Sequence, residues 1–160
     1  MPFNFPLARR LAYLISFVAI SVHVSACAQT TVYGNTVSIG KTVPETVKTV
    51  KAPNMDPAHY RTLKNTQFSY RCYVPYVLKT GQAAVEVCEI NPVKLQIINW
   101  PETEVIHLVS GHVTITHNDG SIHRYSAGDI FVLPEGFKGV WDQPEILSKV
   151  VVRHPLYWKE

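Results

Sequence analysis

Two stretches decide the fold: Glu104-Val105-Ile106-His107-Leu108-Val109-Ser110-Gly111, and Ala127-Gly128-Asp129-Ile130-Phe131-Val132-Leu133-Pro134-Glu135-Gly136-Phe137-Lys138-Gly139-Val140-Trp141. Both are short runs of β-branched and aromatic residues that stop at glycine, proline or aspartate, which is how strands are bounded by turns. Working outward, similar runs cover 68–74, 83–90, 94–100, 104–109, 112–117, 121–126, 130–133, 137–142 and 146–153. Turn residues separate them at Asn91-Pro92, Ser110-Gly111, Asn118-Asp119-Gly120, Ala127-Gly128-Asp129, Pro134-Glu135-Gly136 and Gln143-Pro144. Strands of this length and spacing predict an all-β antiparallel sandwich or barrel. Upstream, Asp56 to Leu63 starts like a short helix, with Asp56 at the N-cap and Pro57 at the first helical position.

The spacing within 104–142 resembles the two conserved motifs of the cupin superfamily. Glu104 stands seven positions before Gly111, and Gly128 leads into Pro134-Glu135-Gly136 six positions on. The ending Pro-x-Gly-Phe-Lys-Gly-x-Trp is similar to the branch named after (S)-ureidoglycine aminohydrolase. The resemblance runs from about residue 68 to 155. It implies a double-stranded β-helix, or jelly-roll barrel; the residues upstream read separately as a signal peptide and a short linker. The expected division is a signal peptide over 1–28, a linker and N-terminal extension over 29–66, and the barrel over 67–160.

The resemblance also implies a place for a metal. Metal-binding cupins carry a His-x-His pair, a glutamate and a later histidine. Counted from Glu104, the paired slots fall on Ile98 and Trp100, or on Ile97 and Asn99; counted from Gly136, the last falls on Gly139. Only Glu104 survives, and a lone carboxylate does not hold a transition metal. The aminohydrolase is a manganese enzyme with paired cupin domains, so its reaction is not transferred to this single domain. No cofactor is predicted, although a divalent metal in a rebuilt site stays open.

If Ser110-Gly111 closes a two-residue hairpin, Glu104 stands opposite His117 at the mouth of the lumen, in line with Ile106, Leu108, Val113 and Ile115. That pair reads either as an acid/base couple or as a structural contact. His107 and His112 then lie diagonally on a solvated outer face. The resemblance implies that Trp100 and Trp141 point inward with Phe131, Phe137 and Leu108, either lining a ligand pocket or packing the core. The two functional expectations are a non-catalytic module binding a small molecule or a partner, and an enzyme using Glu104 with His117. A third expectation is a structural lipoprotein whose barrel only mediates oligomerisation, such as a homodimer, a habit that the resemblance to cupins implies.

The chain has 160 residues, 46% hydrophobic and 17% charged, with a mean hydropathy of +0.02. That fits one domain and excludes wholesale disorder, collagen-like repetition and a multi-span membrane protein. The net charge of +3 comes without a basic stripe, so no nucleic-acid partner is expected. Arg9 and Arg10 followed by the apolar run Leu11 to Val24 read as an export signal, too short for a bilayer span. Val24-Ser25-Ala26-Cys27 resembles a bacterial lipobox, with Cys27 the lipidated residue. Ordinary cleavage after Ala28 and an uncleaved anchor are the alternatives. Periplasmic or membrane-anchored export is the expectation, and removing the arginine pair leaves 13 basic against 12 acidic residues. Thr30 to Pro53, with repeated Thr-Val pairs, is either a tether or strands covering a sheet edge. Cys72 and Cys88 remain in a disulfide-permitting compartment, either bonded or as two buried thiols.

Overall fold

The computed structural model describes residues 36–51, 57–63 and 68–154. The export signal with its lipobox and Cys27, and Asp56 of the expected helix, lie outside the described residues. Among the described residues eleven strands follow one another: β1 (Val50–Lys51), β2 (Tyr60–Thr62), β3 (Ser69–Val77), β4 (Ala84–Ile90), β5 (Val93–Ile97) and β6 (Glu104–Ser110). Then come β7 (His112–His117), β8 (Ile122–Ser126), β9 (Ile130–Leu133), β10 (Gly139–Gln143) and β11 (Leu147–Arg153). They form two antiparallel sheets, ordered β1-β3-β4-β11-β6-β9 and β2-β5-β10-β7-β8, the architecture of a cupin jelly roll.

Period-two alternation explains which sheet faces meet. In β6, Glu104, Ile106 and Leu108 are buried while Val105 and His107 are exposed. In β11, Leu147, Lys149, Val151 and Arg153 are all buried. Facing them from the other sheet are Val113 and Ile115 of β7, Leu95 and Ile97 of β5, and Trp141 of β10. No helix occurs among the described residues, and the helix expected from Asp56 is corrected: Tyr60–Thr62 is a strand paired with β5. Tertiary pairing overrides the capping signal there. Tyr60 is buried, with its ring 5.8 Å from that of Trp100. Val50 and Lys51 pair with Tyr70 and Ser69, so the end of the Thr-Val segment covers a sheet edge.

Ser110-Gly111 does not close a hairpin. β6 pairs with β11 and β9, whereas β7 pairs with β10 and β8, so the chain crosses from one sheet to the other at this turn. The crossing packs tightly against the start of β11. Gly111 has φ of 79°, and a Cβ there would meet the Ile146 carbonyl oxygen at 2.6 Å. Gly120 has a similar φ of 85° at the β7–β8 turn, but a Cβ added there would meet nothing within 4 Å.

β3 and β4 form a hairpin, with Cys72 directly opposite Cys88 and the two joined by a disulfide. β3 runs past Pro75, where the lost N–H is accommodated by a register irregularity between Tyr73 and Tyr76.

The two glycines separate strain from collision. Gly120→Ala should lose about 1–3 kcal/mol from left-handed backbone strain alone. Gly111→Ala should lose distinctly more, because β11 must also shift. Denaturant midpoints of the two variants measure this; equal losses would mean that the crossing is loosely packed.

Candidate functional site

The interior between the sheets contains charge. Lys149 enters on the inner face of β11, and its Nζ donates to Glu104 Oε2 at 3.1 Å, with side chains only 10% and 4% exposed. The ammonium also lies 5.7 Å from the centre of the Trp141 ring, which belongs to the opposite sheet. A buried ammonium requires a partner on this scale of contact, since an isolated one would shed its charge or unfold its surroundings. The carboxylate supplies the ion pair and the indole face adds cation–π attraction. Trp141 is held in turn: its Nε1 donates to Gln143 Oε1 at 3.1 Å, and the Gln143 amide donates to the Ile90 carbonyl at 2.9 Å.

A second ionic group continues along the same strand. Arg153 makes a two-point contact with Glu86, Nε to Oε2 at 2.7 Å and Nη2 to Oε1 at 3.0 Å, and Glu102 lies 4.0 Å from its Nη1. Burial alone would weaken the guanidinium's hold on its proton. The Glu86 hydrogen bond and the charges of Glu86, Glu102 and Glu104 outweigh that and hold it above the ordinary arginine value. Arg153 and Glu102 line part of a wide-open surface cavity of about 610 Å³, together with Gln82, Ala83, Thr103, Glu135, Val152 and His154.

The aromatic residues singled out in the sequence serve the core. Trp100, Trp141 and Phe131 are buried within it, and Phe137 packs partly buried against it. The Phe131 ring stacks on Tyr125 with centroids 4.0 Å apart. None of these four lines the cavity described above. The expected cross-strand pairing of Glu104 with His117 is corrected: they belong to different sheets, Glu104 opposite Leu133 and His117 opposite Gly139. Instead, the His117 ring lies 5.0 Å from that of His123 and 5.2 Å from Phe137. His107 and His112 are exposed, but on separate sheets rather than diagonal to each other, and His112 pairs with Glu145.

The four slots that would hold a cupin metal do not fit one. Counted one way, Ile98 and Trp100 carry no metal-ligating group; counted the other, Ile97 is buried hydrocarbon directly opposite Gly139 and Asn99 is an exposed neutral amide. A Cβ on Gly139 would meet the Thr116 carbonyl oxygen at 2.3 Å and the Phe137 ring at 2.8 Å, so no side chain has room there. The remaining donor, Glu104, already accepts from Lys149.

Sequence reasoning misses Lys149 and Arg153, although a signal exists. Both keep step with Leu147 and Val151, so the apolar alternation of β11 carries two cations on its buried face.

Comparison with known proteins agrees with this architecture. Residues 78–150 match the family model of the EutQ-like cupin domain. A protein of unknown function of the DUF861 family from Pseudomonas syringae pv. tomato superposes with a TM-score of 0.54 at 16% identity, over 69% of this chain and 46% of its own. The chain thus spans less than half the length of that protein. The EutQ protein of Clostridium difficile aligns with a TM-score of 0.47 at 17% identity, over 65% of this chain and 81% of its own. A putative ethanolamine utilization protein EutQ from Salmonella typhimurium gives 0.45 at 14%, over 71% and 98%. No curated protein matches the sequence. The two-sheet barrel together with the domain match supports placement in the cupin superfamily.

Removing one member of a buried ion pair strands the other. Lys149→Met and Glu104→Gln should each cost about 3–5 kcal/mol, whereas the double variant Glu104→Leu/Lys149→Met should recover most of the loss. Chemical denaturation of the three variants measures the coupling. Additive losses would show that the two side chains do not interact.

Proposed function

We propose that this protein is an exported, non-catalytic cupin of the cell envelope that binds a small polar molecule. The Lys149–Glu104 pair carries the reading. The one surviving carboxylate of the family's metal set is satisfied by an ammonium, and the other slots hold no histidine: they carry Ile98 and Trp100, or Ile97 and Asn99, and a glycine with no room for a side chain. The barrel interior is therefore built as a self-neutralised core rather than as a reaction centre. The motif ending at Trp141 supports kinship with the ureidoglycine aminohydrolase-like branch, but that enzyme's manganese chemistry does not follow from it.

Binding is assigned to the rim cavity at Arg153, Glu102 and His154 instead of to the aromatic residues, which are occupied in packing. Export is supported by Arg9-Arg10, the apolar run that follows and the Cys27 lipobox. The Cys72–Cys88 disulfide supports it too, since such bonds persist in oxidising compartments.

The test is metal content. Disulfide-intact protein incubated with manganese, iron, nickel or zinc and then desalted should retain no stoichiometric metal in the barrel. Retention of one equivalent that Glu104→Ala abolishes would overturn the non-catalytic reading.

A further inference from the structure

The inner faces of β3 and β4 gather three soft and hard donors in one place. The sulfurs of Cys72 and Cys88 and a carboxylate oxygen of Glu86 all lie within 4.8 Å of one another. We propose that, when the Cys72–Cys88 bond is reduced, these three side chains form a binding site for a thiophilic divalent cation of the zinc class. The disulfide then acts as a redox-controlled cover on a metal site distinct from the family's position around Glu104.

The backbone would bring these donors together without the bond. Cys72 and Cys88 are direct partners in the β3–β4 ladder, and β4 is held on its other side by β11 along its whole length. Glu86 precedes Cys88 by two residues on the same strand, so both side chains leave the same face. Thiolates with one carboxylate are a donor set that zinc accepts, leaving a fourth position for water. Cys72 is only partly buried, which gives a reductant and an ion a way in.

Charge balance favours the same ion. The two thiolates cancel a divalent cation, and Glu86 stays neutralised by Arg153, which contacts both its oxygens. Arg153 then orients the carboxylate as an outer partner does in metal sites. Reduction needs a donor of the dithiol class: it delivers two electrons and two protons to the sulfurs and is itself closed to a disulfide. Metal binding afterwards displaces the two thiol protons.

Cadmium and zinc alone serve as probes. The reduced full chain should bind one cadmium ion with a thiolate-to-cadmium charge-transfer band, and zinc should raise its melting temperature; the oxidised chain should show neither effect. Glu86→Gln should weaken binding at least about tenfold. Cys72→Ser, which leaves the Glu86–Arg153 pair in place, should lose the band. Circular dichroism guards against binding by unfolded chain: if reduction unfolds the barrel, zinc must restore its β-sheet signal. Absence of the band on reduction, equal affinity in Glu86→Gln, or metal bound to a chain that stays unfolded would each overturn the proposal.

Discussion

The ion pair between Lys149 and Glu104 is the constraint around which the interior is arranged. An ammonium placed between two apolar sheets loses its hydration, and the surrounding groups must replace it. Glu104 does so from the same sheet and the Trp141 ring from the opposite one, so a single charge ties the two layers together. Trp141 is then oriented by Gln143, which is anchored on the backbone at the end of β4. Replacing such a pair with hydrocarbon is often neutral or stabilising, so stability alone does not explain it.

The same strand distributes charge along the barrel. β11 carries Lys149 towards Glu104 and Arg153 towards Glu86 and Glu102. Glu104 links the two, accepting from Lys149 while its charge also acts on Arg153. Polar side chains thus gather at the end of β11, where the cavity opens. Arg153 also connects that end to the disulfide, because its partner Glu86 shares a strand face with Cys88.

Much of the fold is legible in the sequence because period-two alternation and turn chemistry are local signals. The spans expected for β7 and β9 coincide with those observed. What the sequence hides is non-local. Ser110-Gly111 has the composition of a hairpin turn, but a corner between two sheets also needs a glycine with positive φ. Only the approach of Ile146, distant in sequence, distinguishes the two. That one difference moves His117 away from the partner expected for it. The helix signal at Asp56-Pro57 loses in the same way, to pairing with β5 and burial of Tyr60. The candidate site is half legible: Glu104 stands out, but finding its partner requires the alternation of β11 to be read through its charges as well as its apolar residues.

The most direct measurement is nitrogen-detected or nitrogen-edited NMR of the lysine ammonium groups. An ammonium buried against a carboxylate exchanges its protons slowly enough to be observed, whereas solvated lysines do not under the same conditions. The expected result is a resolved Lys149 ammonium signal that disappears in Lys149→Met and shifts strongly in Glu104→Gln. A spectrum without that signal, in protein shown to be folded, would mean that Lys149 lies in solvent and that the barrel interior is not closed by this pair.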